Sequence, residues 1–300
     1  MLIFLTGSKG FVGQNLKNYL KKIQIQLKCV DREDLSEINW TLFDRVNVVV
    51  HLAGKAHDLK NTSATQEYYE VNTDLTKKVY DAFLASEAKV FITLSSVKAV
   101  ADEVDGDLIE DHIPNPITHY GKSKLLAEQY IFSKEIPEGK RVYVLRPCMI
   151  HGPGNKGNLN LLYKIVSKNI PWPLGAFDNK RSFCSIDNLM FIFKELIERD
   201  GIPSGIYNVA DDEPLSTNEL IGLIAQSQNR RPKLWNISKK FIEGVAFLGD
   251  KLHLPLNTER LQKLTSSYVV SNAKIKAAIG KPLPVSSREG LLKTFKSFNN

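Results

Sequence analysis

Residues 6–13 read Thr-Gly-Ser-Lys-Gly-Phe-Val-Gly, which places glycines at 7, 10 and 13. They follow a short apolar run at 2–6 and open a stretch at 11–22 with apolar side chains at Phe11, Val12, Leu16, Tyr19 and Leu20. A strand, a glycine turn and a helix in direct succession constrain the fold more than any other feature of the chain. Gly7 permits the tight turn. Gly10 leaves room for a backbone to approach a pyrophosphate, and Gly13 lets the helix lie close on the sheet. The helix start offers free N–H groups and the positive end of its dipole to phosphates. In this setting the turn reads as dinucleotide-binding rather than merely structural. Asp31, eighteen residues beyond Gly13, stands where a carboxylate accepts hydrogen bonds from a ribose diol and repels a 2′-phosphate, which favours NAD. The adjoining Arg32 suits that phosphate, so NADP stays open.

The same rhythm continues along the chain. Strands are expected over 26–31, 46–53, 89–96 and 141–146, with helices over 69–85 and 118–132 between them. The run at 46–53 is almost continuously apolar, as a parallel strand covered on both faces requires. Such alternation predicts an α/β fold with a Rossmann-like, doubly wound parallel sheet. After Pro147 the texture becomes loop-rich, and the remainder is mostly helical from 216 onward. Two interleaved units are therefore expected: a dinucleotide-binding unit of residues 1–147 plus about 178–212, and a smaller, mostly helical unit of 148–177 plus 213–300.

Charge and cysteine content narrow the classes. The formal net charge of +7 is spread along 300 residues without a Lys/Arg tract, zinc-finger spacing or RNP-like motif, so no nucleic-acid partner is expected. Cys29, Cys148 and Cys184 are odd in number, far apart and set in apolar segments, which reads as buried free thiols in a reducing compartment. The N-terminal apolar run is too short for a signal peptide, and no run approaches the roughly 18 residues that span a bilayer. The expected location is the cytoplasm. His57, His119 and His151 have no ligand spacing, so no metal site is expected. His51 is expected to satisfy a backbone group. Residues 239–256 are somewhat amphipathic, and core packing is favoured there over docking on a membrane surface.

Tyr120-Gly121-Lys122-Ser123-Lys124 opens the 118–132 helix after the breakers Pro114 and Pro116. Tyr120 and Lys124, at i and i+4, share one helix face. A phenol with its ordinary pKa of about 10 is a poor base at neutral pH. A cation held close, joined by a positively charged nicotinamide, is expected to lower that pKa and make Tyr120 a proton shuttle. Ser96 ends a predicted strand, where its hydroxyl can hold a substrate oxygen.

With these motifs in order, the chain resembles the extended short-chain dehydrogenase/reductases, in their nucleotide-sugar epimerase/dehydratase branch. The likeness covers nearly the whole chain. It rests on the glycine turn, His51-Leu52-Ala53-Gly54, Asn72 within Tyr69-Glu70-Val71-Asn72, Ser95-Ser96 and Tyr120-x-x-x-Lys124. Arg146-Pro147 leading to Gly152-Pro153-Gly154, and Arg181-Ser182-Phe183 leading to Asp187, extend it. The stretch from Lys156-Gly157-Asn158 through Pro173-Leu174-Gly175-Ala176 to Arg181 is most similar to bacterial surface-polysaccharide enzymes related to UDP-glucose 4-epimerase.

The resemblance implies that Gly7, Gly10, Phe11 and Gly13 line the pyrophosphate and that Asp31 meets the adenosine ribose. It implies that Leu52, Ala53 and Gly54 run beside the cofactor, and that Asn72 helps position the nicotinamide half. Lys124 would bond the nicotinamide ribose, Ser96 and Tyr120 would bracket the sugar C4 oxygen, and Asn158, Arg181 and Arg260 would hold the nucleotide diphosphate. The implied activity is NAD(P)-dependent redox chemistry at C4 of a UDP-hexose, as a 4-epimerase in surface-polysaccharide precursor synthesis. A reductase of a UDP-4-keto-6-deoxy-hexose shares every motif. A non-catalytic NAD(P)-binding redox sensor is a third reading, which retention of Ser96, Tyr120 and Lys124 disfavours. The family also implies a homodimer formed through the Tyr-bearing helix. The chain departs from the family's pattern in places. Met149 stands where galactose-type epimerases carry Asn, and no adenine-binding acidic motif is evident between Asp34 and Asp44. Val97 and Lys98 occupy the places of the acid pair that 4,6-dehydratases use for water loss, which argues against that reaction.

Overall fold

The computed structural model describes residues 1–31, 35, 38, 40–55, 64–155, 157–252 and 257–299. The first half contains β1 (Leu2–Thr6), α1 (Phe11–Lys22), β2 (Gln26–Val30), β3 (Val48–His51), α2 (Thr65–Tyr69), α3 (Leu75–Leu84), β4 (Val90–Leu94), β5 (Asp107–Leu108) and α4 (His119–Phe132). There follow β6 (Arg141–Pro147), β7 (Met149–His151), α5 (Asn158–Ser167), β8 (Phe183–Ser185), α6 (Ile186–Glu198) and β9 (Gly205–Val209). The chain then runs through α7 (Thr217–Ser227), α8 (Lys239–Leu252), α9 (Thr258–Thr265), β10 (Val269–Val270), α10 (Ala273–Ile279) and α11 (Ser287–Lys296).

Six strands form a parallel sheet in the order β2-β1-β3-β4-β6-β9. Because β1 lies between β2 and β3, successive crossovers leave it in opposite directions. A crevice therefore opens beyond the carboxyl ends of β1 and β3, the place where doubly wound sheets bind ligands. The apolar runs are continuous because both sheet faces are covered. On one face Ile3, Leu5, Val48, Val50 and Ile92 pack with Leu16 and Leu20 of α1 and Leu189 and Phe193 of α6. On the other, Phe4, Val49, Phe91 and Val144 pack with Val79, Tyr80 and Phe83 of α3 and Ile131 of α4. A separate cluster joins α5, α7 and α11 through Leu159, Leu220, Leu291 and Phe295.

Two expectations change. The helix expected over 69–85 is divided into α2, a π-helical turn at Glu70–Asp74 and α3, so the ladder is interrupted where Asn72 sits. Between β2 and β3 a 3₁₀ turn at Trp40–Phe43 brings the Phe43 ring within 4.6 Å of Phe4. Cys29 is exposed rather than buried, because β2 is the sheet's edge strand. Cys184 is buried, Cys148 half-buried, and all three are free thiols.

Candidate active site

The glycine turn closes at the crevice. Gly7 has φ +68°, a left-handed conformation that favours glycine, and a Cβ there would lie 2.5 Å from the Leu52 carbonyl carbon and 2.6 Å from the Ala53 nitrogen. A Cβ on Gly13 would lie 2.1 Å from the Gly7 oxygen, so this residue lets α1 press onto the turn itself. A Cβ on Gly10 would meet only the Gly7 oxygen, at 3.4 Å. The start of α1 has no side-chain cap and no acidic residue, which leaves its first N–H groups for an anion. Gly7, Ser8, Lys9, Gly10, Asp31, Leu52, Ala53, Gly54 and Val71 line a cleft of about 370 Å³. The Lys9 ammonium donates to the Asp31 carboxylate at 2.6 Å across one end. These residues fit a dinucleotide: a bare phosphate-facing helix start, close backbone and a carboxylate at the end of β2. Phe11 is the first residue of α1. Arg32 and His57 lie outside the described residues.

Beneath the cleft, His51 is fully buried, and burial with the nearby Lys124 ammonium lowers its pKa to about 3. It bonds hydroxyls and not the backbone group expected of it: Nδ1 faces Thr6 Oγ1 at 2.9 Å and Nε2 faces Thr76 Oγ1 at 3.1 Å. Thr76 donates to the Asn72 carbonyl at 2.8 Å, so it accepts from a protonated Nε2. Nδ1 then accepts from Thr6, whose oxygen in turn accepts from the Ala53 N–H at 3.0 Å. The relay pins the Ala53 backbone against the glycine turn. Asn72 performs a parallel task. Its Oδ1 accepts from the Lys55 N–H at 2.8 Å, and its Nδ2 donates to the Lys55 carbonyl and to Ser123 Oγ. Asn72 thus ties the Gly54–Lys55 wall to α4.

Helix α4 carries Tyr120 and Lys124. Thr118 caps it, its Oγ1 accepting from the Gly121 N–H at 3.1 Å. Ser96 lies at the opposite side, capping a 3₁₀ turn at Val97–Ala99 by accepting from the Lys98 N–H. Gly121 sets the two together: a Cβ there would stand 2.3 Å from the Lys98 carbonyl oxygen. The hydroxyls of Tyr120 and Ser96 are hydrogen-bonded. The Lys124 ammonium donates to the Leu94 carbonyl at 2.8 Å and stands 3.2 Å from where a Cβ of Gly54 would be, at the cleft wall. The three residues singled out in the sequence therefore meet at one end of the glycine-lined cleft.

The electrostatics differ from expectation. Burial pushes the Tyr120 phenol above its ordinary pKa, and only the Ser96 hydrogen bond acts against that. The Lys124 ammonium is held by the Leu94 carbonyl. Burial lowers Lys124 itself to about 8, with Glu128 opposing.

The residues implied for the diphosphate are less closely gathered. Arg181 is half-buried, bridged by its backbone to Leu215 and Tyr268, and burial lowers its pKa. The Lys98 ammonium lies within electrostatic reach of it, 4.5 Å over the Tyr268 ring and 2.8 Å from the Asp102 carbonyl. Asn158 is exposed at the first residue of α5 and Arg260 is exposed on α9. Thr6, Gly121 and Glu128 were not singled out from the sequence, although a glycine inside a helix start is a legible signal of close packing. Among the described residues no group of three or more His, Cys, Asp or Glu side chains is arranged to hold a metal.

Known proteins resemble this chain in sequence and in fold. UDP-glucose 4-epimerase of Vibrio cholerae is 29% identical over 99% of this chain and 95% of its own length. The N-acetyl-alpha-D-glucosaminyl-diphospho-ditrans,octacis-undecaprenol 4-epimerase of Escherichia coli O157:H7 is 30% identical over 76% of this chain and 73% of its own. The crystal structure of UDP-N-acetylglucosamine 4-epimerase from Bacillus cereus matches with a TM-score of 0.78 at 18% identity, covering 100% of both chains, which shows the shared fold. A family model for the NAD dependent epimerase/dehydratase family matches residues 3–210. The chain belongs to the NAD-dependent epimerase/dehydratase family.

Proposed function

We propose that this chain interconverts the C4 epimers of a UDP-hexose of the UDP-glucose or UDP-N-acetylglucosamine type, using bound NAD. The observation that carries the reading is the Ser96–Tyr120 hydrogen-bonded pair beside Lys124 at the end of the glycine-lined cleft. When bound, NAD supplies a hydride acceptor and donor for C4 together with the positive charge of its oxidised ring. Ser96 Oγ holds the C4 oxygen. Tyr120 Oη takes the proton of the 4-hydroxyl as the C4 hydride departs, and returns it when hydride comes back to the other face of the 4-keto sugar. Burial keeps Tyr120 protonated at rest, so it acts as the base only as the phenolate, after positive charge gathered around it has released its own proton to solvent. Val97 and Lys98 offer no carboxyl pair, so the keto stage is not diverted into loss of water.

In this reading Gly7, Gly10, Phe11, Gly13, Asp31, Leu52, Ala53 and Gly54 hold the cofactor, and Arg181 binds the diphosphate with a planar guanidinium, joined by Asn158 and Arg260. Residues 1–147 plus about 178–212 form the cofactor unit, and 148–177 plus 213–300 the nucleotide-sugar unit. The exposed Leu126 and Phe132 of α4 lie in a homodimer surface, and the place of work is the cytoplasm.

Purified protein is incubated with each UDP-hexose, and the products are resolved by chromatography and proton NMR. The expected result is the 4-epimer, without net formation or consumption of NADH. Stoichiometric NADH consumption with a 4-keto-6-deoxy sugar, and no epimer from any UDP-hexose, would replace the reading with a reductase.

A further inference from the structure

We infer that helix α8 seats this protein on the surface of an anionic bilayer. The buried side of α8, formed by Ile242, Ala246 and Gly249, packs with Trp172, Leu174 and Leu261. A second apolar side remains uncovered. On it Phe241 is 64% exposed, Leu248 55% and Leu252 65%; Phe247, 56% exposed, stands about 120° around the helix from them, and Trp235 just before the helix is 56% exposed. At about 100° per residue, Phe241, Leu248 and Leu252 fall on a single stripe, roughly a right angle from the buried one. Scattered exposed leucines are ordinary, but a contiguous stripe with an aromatic member marks a surface that meets something apolar.

Charge identifies the occupant. Residues 230–252 hold six cationic side chains (Arg230, Arg231, Lys233, Lys239, Lys240 and Lys251) against two carboxylates. Lys240 and Lys251 project beside the apolar stripe, the Lys251 ammonium 4.8 Å over the Phe247 ring. Glu243 and Asp250 project from the opposite side of the helix. Asp250 is also engaged, accepting from the Thr258 hydroxyl at 2.7 Å. Aromatic and leucine side chains flanked by lysines, with the acids turned away, suit an interface of acyl chains and anionic headgroups. A second copy fits poorly, because a two-fold contact through this stripe would set Lys240 and Lys251 against their own counterparts. Among the described residues no helix is long and apolar enough to cross a membrane, so the attachment is peripheral. It does not depend on the C4 chemistry.

The test is co-sedimentation of the full chain with vesicles of phosphatidylglycerol and phosphatidylcholine, or of phosphatidylcholine alone, at low and high salt. Binding is expected to the anionic vesicles, at least about ten-fold weaker to the neutral ones, weakened by salt, and accompanied by a blue shift of tryptophan fluorescence. The triple variant F241S/L248S/L252S and the charge variant K240E/K251E should each lose about ten-fold or more of the binding. Both should keep the wild-type melting temperature and turnover of a soluble UDP-hexose, since all the altered side chains are exposed. Absence of binding to anionic vesicles overturns the inference, and so does undiminished binding by both variants. A wild-type dimer that the triple variant turns into a monomer also overturns it, by assigning the stripe to a second copy.

Discussion

A neutral imidazole in the core is maintained by what surrounds it, and His51 shows the consequence for stability. It titrates near 3 in the fold and near 6.5 when unfolded, so between those values the unfolded chain binds a proton that the folded chain refuses. Stability therefore falls as pH drops below about 6.5 and continues to fall toward 3, with a limiting slope of about 1.4 kcal/mol per pH unit from this residue. In His51→Gln, melting temperature followed from pH 7 to 4.5 should lose that component of the slope while starting from a lower value. An unchanged slope would mean that other groups dominate acid unfolding. Tyr120 gives the complementary case, because its hydroxyl matters for chemistry more than for folding. Tyr120→Phe should lower kcat by about 10²- to 10⁴-fold while changing stability by no more than about 1 kcal/mol.

At the scale of elements, the site depends on how α4 meets the turn that Ser96 caps. Gly121→Ala puts a methyl group 2.3 Å from the Lys98 oxygen and 2.9 Å from Pro116 Cβ, so the start of α4 must lift and carry Tyr120 away from Ser96. The expected cost is about 1–3 kcal/mol in stability and a drop of about 10²-fold in kcat. Gly222→Ala in α7 is the control: nothing lies within 4 Å of its Cβ, so it should be neutral or slightly stabilising in thermal melts, with kcat unchanged. Elements such as β1 and α1 were legible because hydrophobic period and glycine spacing are local signals. The meeting of Ser96, Tyr120 and Lys124 was legible because Ser96 and Tyr120 lie at the ends of such elements and Lys124 shares a helix face with Tyr120. The turn of Lys124 toward Leu94, the hydroxyl partners of His51 and the π turn at Asn72 were not, since each is decided by a neighbour distant in sequence. Exposure of Cys29 follows from the edge position of β2, which a strand's own residues do not reveal.

Across the whole molecule, sheet and catalytic helix are joined by an ion pair that had no sequence signal beyond Arg146-Pro147. Arg146 of β6 holds Glu128 of α4 through Nε at 3.0 Å and Nη2 at 2.5 Å, with both side chains almost wholly buried. Removing one partner strands a buried charge, so Glu128→Gln alone should cost about 3–5 kcal/mol. The double variant E128Q/R146M removes both charges and should retain most of the stability. It also removes the group that opposes the lowering of Lys124, one turn away on α4. Lysine is cationic below its pKa, so moving Lys124 below about 8 means its ammonium is lost at a lower pH. The alkaline limb of the kcat–pH profile of the NAD-loaded double variant should therefore shift toward neutral pH. An alkaline limb that stays in place, in a folded double variant, would show that the pair acts on architecture alone and not on the charge beside Tyr120.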